Sequence, residues 1–191
     1  MIKVIGFNGS ARKDGNTAIL IRQVFTELEN EGISTELVDL SGKKLHGCLA
    51  CYKCRDNQDR RCAVKDDLNF CIEKIENVQG IILGSPTYFT DVSAEMKALI
   101  DRAGMVAKVN GDMFRLKVGA GVVAVRRAGS THVFDTINHL FFISQMVVPG
   151  SSYWNMGIGR EKGEVLNDEE GLLTMKNLGQ NMAYVLKKLY A

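Results

Sequence analysis

The sequence predicts an α/β fold in which a parallel sheet is covered by helices on both faces. Short apolar, β-branched segments recur along the chain, and segments with helical spacing of their apolar residues separate them. This alternation is typical of a doubly wound parallel sheet. Right-handed crossovers leave few strand orders, of which 2-1-3-4-5 is the expected one for five strands. A chain of 191 residues fits one domain, which we place at 1–191.

The first half of the chain supplies two strands and two helices. The run IKVIGFN, at 2–8, is apolar and β-branched and ends at Gly9, which predicts a buried strand. A helix follows, because apolar residues from Ile19 to Leu28 recur at spacings of one, three or four. STELVDL, at 34–40, alternates as a second strand. The segment 66–78 predicts a helix with Asp66 or Asp67 as its cap.

The second half continues the alternation. GIILGS and KVGAGVVAV predict the third and fourth strands, and MVVPGSS predicts a short fifth strand. Helical spacing predicts one helix starting near Ser93, another before the fifth strand and a long amphipathic helix at the end. In order, these elements lie at 80–85, 93–109, 117–125, 132–145, 146–152 and 168–190.

Composition limits the classes of partner. The net charge of +2 is too small to indicate binding to nucleic acid or to an acidic membrane. No apolar run approaches the length of a membrane span, and the first residues lack the features of a signal peptide. We therefore expect a cytoplasmic protein. In that compartment clustered cysteines are more often metal ligands or catalytic groups than structural disulfides.

The turn after the first strand, NGSARKDGNT, offers hydroxyl, amide and cationic groups at the start of a helix. Ser10, Asn16 and Thr17 lie in it together with Arg12. Backbone N–H groups at a helix N-terminus, with hydroxyls and a cation, suit a phosphate monoester. The turn has no dinucleotide or P-loop fingerprint. The alternative is an ordinary cap in which Asn16 or Thr17 starts the helix.

The turn after the third strand places two aromatic residues in a loop. Gly84 and Pro86 end the strand, and Tyr88 and Phe89 follow. Loops at the carboxyl ends of strands are where such sheets bind ligands, and flat side chains there would suit a planar heterocycle. The alternative is that both rings only cover the sheet edge.

Three segments together resemble a known family. NGSARKDGNT, GSPTYFTDVSAEMKALIDR and AVRRAGST resemble the three flavin-contacting segments of the NADPH-dependent FMN reductase family, which has the flavodoxin-like fold. With the cysteine-rich insertion at 47–62, the whole chain resembles the iron–sulfur flavoproteins of that family. The resemblance implies FMN as cofactor, with its phosphate held by Ser10, Arg12, Asn16 and Thr17 and its isoalloxazine bordered by Pro86, Thr87, Tyr88 and Phe89.

The loop after the fourth strand would close this site. Arg126 and Arg127 leave a buried strand with no acidic neighbour in sequence, and a guanidinium would stabilise the negative charge of a reduced flavin. Gly129 and Ser130 are expected to offer backbone contacts. The alternative is a solvated pair of arginines.

Four of the five cysteines lie in the insertion. Cys48, Cys51, Cys54 and Cys62 follow a C-x2-C-x2-C-x7-C pattern, in which three close cysteines can wrap one face of a 4Fe-4S cluster while the fourth arrives from a loop. Zinc also accepts four thiolates, but usually from two separated C-x2-C pairs. Free or oxidised thiols are the third alternative.

Charged neighbours bear on these thiols. Basic residues crowd the loop at Lys53, Arg55, Arg60 and Arg61, and we expect them to lower the pKa of the thiols and offset a cluster's charge.

The remaining candidate residues carry structural expectations. Cys71 is expected in the core, and Tyr153, Trp154 and Asn155 in core or subunit packing. No arrangement of histidine, serine or carboxylates marks a catalytic side chain.

These observations favour an FMN-dependent oxidoreductase or electron-transfer protein with a 4Fe-4S cluster, exchanging electrons with NAD(P)H, a quinone or another small molecule, or a ferredoxin-type partner. One alternative is a cluster-free NAD(P)H-dependent FMN or quinone reductase. Another is a non-enzymatic module with a zinc-stabilised interaction loop. The family resemblance implies a homodimer or homotetramer.

Overall fold

The computed structural model describes residues 1–190 and contains a five-stranded parallel sheet. Its order, β2-β1-β3-β4-β5, confirms the prediction from sequence. Strand β4 is buried along its whole length, as expected of a strand covered on both faces. The strands are Lys3–Asn8 (β1), Ser34–Asp39 (β2), Gly80–Pro86 (β3), Val118–Val125 (β4) and Met156–Ile158 (β5).

Helices cover both faces of the sheet. The first and last pack together on one face, and the third, fourth and fifth form the apolar core of the other. Within the described part of the chain, no helix is both long and apolar enough to cross a membrane. The helices are Asn16–Asn30 (α1), Lys53–Asn57 (α2), Leu68–Glu76 (α3), Ala94–Val109 (α4), Ser130–Ile143 (α5) and Glu169–Tyr190 (α6), with one 3₁₀ turn at Glu164–Asn167.

The fifth strand lies later in the chain than predicted. In the predicted segment 146–152, Val147 makes one isolated bridge to Val118 at the start of β4. Pro149, which has no N–H to donate, and Gly150 follow. The pairing with β4 therefore does not continue beyond this bridge. The true strand is the three residues Met156–Ile158, which pair with the end of β4. The prediction was wrong because the apolar run at 146–152 is a stronger strand signal than the three residues of the true strand.

The residues just before β5 divide between core and surface. Asn155 is buried, and its carbonyl accepts a hydrogen bond from the Val123 N–H. Tyr153 and Trp154 are each about half exposed and pack edge to face. Core packing therefore holds for Asn155 and is wrong for the two aromatic rings, for which subunit packing stays a prediction.

Helix α1 lies unusually close to the sheet, which places its N-terminus over the strand ends. A Cβ at Gly84 of β3 would lie 2.5 Å from Ile21 Cδ1 and 3.0 Å from Thr17 Cγ2. A larger residue at position 84 would therefore crowd the Ile21 and Thr17 side chains of the helix that begins the candidate site.

Candidate cofactor and cysteine sites

A cavity of about 230 Å³ opens at the carboxyl ends of β1, β3 and β4. That volume is smaller than the roughly 300–1,000 Å³ typical of pockets for whole small ligands, and it suits one end of a cofactor. The residues that line it come from segments far apart in sequence. They are Ser10, Arg12, Asn16, Thr17, Pro86, Thr87, Tyr88, Ala124, Arg126, Gly159 and Arg160.

The N-terminus of α1 faces this cavity without a side-chain cap. Its N-cap residue is Gly15, which has no side chain to accept from the first-turn N–H groups. Ser10 and Thr17 are both buried at the cavity wall. Free N–H groups and the positive end of the helix dipole make such a terminus a binding site for an anion. The helix begins at Asn16, as the alternative expected, but neither Asn16 nor Thr17 caps it with a side chain.

Asn16 has another task. Its side-chain N–H donates to the Glu161 carbonyl at 2.9 Å, and its side-chain oxygen accepts from the Gly163 N–H at 2.9 Å. Arg12 also reaches this segment, donating to the Arg160 carbonyl at 3.2 Å. Asn16 therefore ties the loop after β5 to the start of α1 and lines the cavity at the same time.

The loops after β3 and β4 contact each other. Gly129, at a φ of +89°, caps α5, and a Cβ there would lie 2.8 Å from Thr90 Cγ2. The loop after β3 is itself tight, since Tyr88 and Asp91 exchange backbone hydrogen bonds and Phe89 and Thr90 both have left-handed backbone. These contacts hold the Tyr88 side of the cavity in a defined shape.

Four predicted cofactor residues do not line this cavity. Phe89 is fully exposed, and Arg127 is exposed. Gly129 packs on Thr90, and the Ser130 hydroxyl is directed to Met156 Sδ at 3.1 Å. All four stand in the same two loops as residues that do line the cavity.

Arg160 is a cavity residue that sequence reasoning missed. It follows β5 just as Arg126 follows β4. Placing the fifth strand at 156–158 would have put Arg160 at the ligand edge of the sheet. The misplaced strand therefore hid the signal.

The four insertion cysteines line a second cavity, of about 250 Å³. Its opposite wall is formed by Asp101, Arg102, Met105 and Val106 of α4. Cys48 and Cys51 are exposed, whereas Cys54 and Cys62 are half-buried. Among residues 1–190, no three His, Cys, Asp or Glu side chains are close enough to bind one metal ion as they stand. A donor set of four thiols around one cavity nevertheless fits a group larger than a single ion.

This second cavity is not at the edge of the sheet that carries the first. The sequence predicts both sites at the carboxyl edge of the sheet, because the cysteine insertion follows β2 as the other loops follow β1, β3 and β4. The chain instead runs down the side of α4, where Asn110 beyond the helix end accepts from the Arg60 N–H and donates to the Cys54 carbonyl. The lining residues 101–106 lie 8 to 13 positions after Ser93, or about 12–20 Å along the helix axis.

Cys62 is held by two groups from other elements. The Asn69 side chain accepts from the Cys62 N–H at 2.8 Å and donates to the Cys62 carbonyl at 2.9 Å. Arg102 donates from Nη2 to Cys62 Sγ at 3.2 Å. The backbone and the sulfur of this cysteine are therefore both fixed.

The rest of the loop is shaped by unusual backbone. Ala50, Tyr52, Gln58 and Arg60 all have left-handed φ values although none is glycine. The Ala50 N–H also points to Cys48 Sγ at 3.5 Å. Left-handed backbone at non-glycine residues is sparsely populated and gathers at functional sites. Helix α2, a five-residue turn between Cys51 and Cys62, was not predicted.

The electrostatics of the loop differ from the expectation. The basic residues do not lower the pKa of Cys54, because burial raises it. Arg55 and Arg60 have side chains more than half exposed, and Lys53 and Arg61 are also exposed. The buried cation beside the thiols is Arg102, whose side chain is 1% exposed.

Arg102 is paired with Asp66. Its two terminal nitrogens donate to both carboxylate oxygens. Burial acts to raise the pKa of Asp66, but hydrogen bonds from Arg102 and from the His46 and Leu68 N–H groups outweigh it, and the pKa lies below its usual value. Asp66 or Asp67 was expected to cap α3. Asp67 is the N-cap, although its side chain makes no capping hydrogen bond, and Asp66 forms this ion pair instead. The missed signal was an arginine in line with Leu99 and Val106 on the apolar stripe of α4.

Cys71 stands apart from these thiols. It is fully buried in the core, and burial raises the pKa of its thiol to about 11. The prediction that it serves packing is confirmed by this burial.

The sheet order and the anion-binding helix end together define a flavodoxin-like, cofactor-binding α/β protein. A profile of the family described as NADPH-dependent FMN reductase matches residues 2–161. The chain therefore belongs to that family of FMN-binding, flavodoxin-like oxidoreductases.

Curated relatives agree with this membership, and a solved structure agrees with the fold. The chain is 38% identical to an iron–sulfur flavoprotein of Methanocaldococcus jannaschii, over 97% of this chain and 98% of that protein. It is 30% identical to an iron–sulfur flavoprotein of Methanosarcina thermophila, over 97% and 96%. Among solved structures, RosB bound to 8-demethyl-8-formylriboflavin-5'-phosphate has a TM-score of 0.79 at 18% identity, covering 99% of this chain and 80% of RosB.

Proposed function

We propose that this chain is an FMN-dependent oxidoreductase or electron-transfer flavoprotein that also carries a 4Fe-4S cluster on Cys48, Cys51, Cys54 and Cys62. The observation that carries the proposal is the arrangement of all four thiols around one cavity, apart from the cavity at the strand ends. The relatives from Methanocaldococcus jannaschii and Methanosarcina thermophila are named iron–sulfur flavoproteins, which supports the same proposal.

The residues at the strand ends suit the phosphate end of FMN. Ser10 and Thr17 would donate their hydroxyls, the α1 N-terminus its N–H groups, and Arg12 its positive charge. Arg126, on the same cavity, would stabilise negative charge on the bound cofactor. Bound FMN would supply two-electron chemistry with NAD(P)H or a quinone, and can also pass electrons singly.

The cysteine cavity suits exchange of single electrons with a protein partner. Cys48 and Cys51 are exposed, and Leu49 and Tyr52 beside them are 58% and 50% exposed. An exposed apolar rim next to two cluster ligands would let a small ferredoxin-type protein approach closely. A cluster of this type passes one electron at a time, which complements the two-electron capacity of FMN.

The separation of the sites bears on how electrons would pass between them. The cysteine cavity begins about 12 Å along α4 from Ser93, which leaves two routes for the electrons, within one chain or between chains of a homodimer or homotetramer. The proposal includes both routes, and the second of them requires a homodimer or homotetramer.

A second candidate is the cluster-free NAD(P)H-dependent FMN or quinone reductase. One observation favours it: burial raises the pKa of Cys54, which keeps that thiol protonated when no metal is bound. In that case the loop would hold reduced thiols and take no part in electron transfer.

One variant separates the two candidates. Cys51→Ala should leave FMN bound and preserve two-electron quinone reduction, while iron and acid-labile sulfide fall to near zero and rapid electron exchange with ferredoxin disappears. Cys71→Ala is the matched control, because it removes a thiol outside the cavity and should keep the iron. The measurements are metal analysis of anaerobically reconstituted protein and stopped-flow kinetics. Unchanged one-electron exchange in Cys51→Ala would place the loop outside the electron path.

A further inference from the structure

Arg102 is a buried cation whose hydrogen bonds divide between a carboxylate and a thiol. Nη1 donates to the His46 carbonyl at 2.8 Å as well as to Asp66, and Nη2 donates to Asp66 Oδ1 at 2.9 Å and to Cys62 Sγ at 3.2 Å. The remaining donor, Nε–H, is buried and has no partner among residues 1–190. The same side chain forms part of the wall of the cysteine cavity.

Stabilisation of the cysteine loop alone does not explain why a paired arginine is buried beside the thiols. A buried ion pair is often no more stabilising than apolar side chains of similar volume, because both charges must be desolvated. An unpaired buried N–H adds a further cost. The arrangement gains a function if the guanidinium charge and the Nη2–H donor act on a group bound in the cavity that Arg102 and Cys62 both line.

We propose that Arg102 is a positioning residue for the cluster, holding the Cys62 sulfur and raising the cluster's reduction potential. The inference rests on the cluster assignment made above. Reduction adds one electron, and so one negative charge, to the cluster. N–H···S hydrogen bonds and nearby positive charge stabilise that reduced state, and burial strengthens both effects.

Asp66 has the opposite sign and gives the proposal its sharpest consequence. It neutralises part of the guanidinium charge through the two-point ion pair. Removing the Arg102 charge should therefore lower the potential, whereas removing the Asp66 charge should raise it. A residue that merely held the loop in place would not produce shifts of opposite sign.

The exposed basic residues of the loop supply a matched control. Arg61 is adjacent to Cys62 in sequence, but its side chain is exposed and its charge is screened by solvent. Arg61→Gln makes the same change of charge as Arg102→Gln at a site in contact with water. Arg102→Lys keeps the charge and removes the planar fork of donors.

The experiment is a redox titration with dithionite of FMN-saturated protein whose cluster has been reconstituted anaerobically. Optical and low-temperature EPR spectra follow the cluster, and iron and sulfide are measured for each variant. For Arg102→Gln we expect the reduction equilibrium to weaken about tenfold, a fall of about 59 mV for one electron. Asp66→Asn should strengthen the reduction equilibrium by a similar factor. The value for Arg102→Lys should lie between those of Arg102→Gln and the parent protein. Arg61→Gln should change the equilibrium less than twofold.

The outcomes are distinct. Full iron content in Arg102→Gln with a potential within twofold of the parent, or shifts of the same sign in the Arg102 and Asp66 variants, would overturn the inference while leaving the cluster in place. A parent protein that holds no iron after reconstitution would overturn both proposals. If Arg102→Gln folds without iron while Arg61→Gln keeps it, the positioning role is supported, and Arg102→Lys with Asp66→Asn then decides the effect on potential.

Discussion

Polar side chains in the two sites differ mainly in how many of their donors and acceptors already have partners within the protein. The side-chain amide of Asn16 donates to and accepts from the loop after β5, and that of Asn69 donates to and accepts from the Cys62 backbone. Arg12 makes one long bond to a carbonyl and is otherwise free at the cavity. Arg12 therefore keeps most of its side-chain donors available for a phosphate.

This contrast predicts the effect of removing Arg12. Arg12→Ala should weaken FMN binding by about 1–3 kcal/mol, the range for one charge-assisted hydrogen bond. Arg115→Ala, which removes an exposed arginine just before β4, at the opposite edge of the sheet from the cavity, should leave FMN affinity unchanged. Quenching of FMN fluorescence measures both affinities. Equal losses in the two variants would mean that overall charge, and not a contact at the cavity, drives binding.

Whole elements set the position of the first site through close packing on the sheet. Helix α6 presses on α1 where Gly179 meets its neighbour: a Cβ at 179 would lie 2.8 Å from the Val24 carbonyl oxygen and 2.7 Å from Glu27 Cβ. A backbone atom cannot move aside as a side-chain tip can. The glycine thus permits the approach that keeps α1 in place.

Gly179→Ala should therefore destabilise the protein despite the better helix propensity of alanine. Overpacking costs about 1–3 kcal/mol, which exceeds the gain of about 1 kcal/mol expected for alanine over glycine in a helix. Gly104→Ala in α4 is the matched control, because its new Cβ would meet only the mobile end of Leu140. Urea unfolding gives both free energies. A Gly179→Ala protein more stable than its parent would show that α1 and α6 can separate freely.

At the scale of the whole molecule, acid should weaken the contact between the loop after β3 and helix α5. Asp91 joins the loop after β3 to α5, accepting from the Val92 N–H at 2.7 Å and from the Thr136 hydroxyl at 2.9 Å. Burial acts to raise the pKa of Asp91, but these bonds and the nearby His132 outweigh it, so the pKa is lowered. The ionised carboxylate is thus favoured by folding.

A lowered pKa in the folded state fixes the sign of the pH effect. The contribution of Asp91 is present above its unfolded pKa of about 3.9 and is lost as pH falls through the lower folded value. Asp91→Asn should reduce stability at pH 7 and narrow the difference in unfolding free energy between pH 7 and pH 3. Asp135→Asn, at an exposed position on α5, should not. If the unfolding free energies of the parent and Asp91→Asn changed in parallel with pH, the stabilising role of the Asp91 carboxylate would be contradicted.

Sequence reasoning was sufficient where a pattern is repeated along one element. The alternation of strands and helices, and hence the sheet order, follows from apolar spacing that each element carries by itself. The three residues of β5 are too few to show a pattern, and the five-residue α2 owes its shape to contacts with α4. The pairing of Arg102 with Asp66 and Cys62 joins residues 36 and 40 positions apart, which no local pattern reports.

Helix α4 also acts as a ruler between the two cavities. Its N-cap, Ser93, is anchored to Ser85 behind the first cavity, and Arg102 follows nine positions later in the wall of the second. Each helical residue advances the chain by about 1.5 Å and turns it by about 100°. One residue inserted between them would rotate the guanidinium away from the thiols. Grafting the cysteine loop onto another flavodoxin-like scaffold therefore demands a matching helix register before a matching loop.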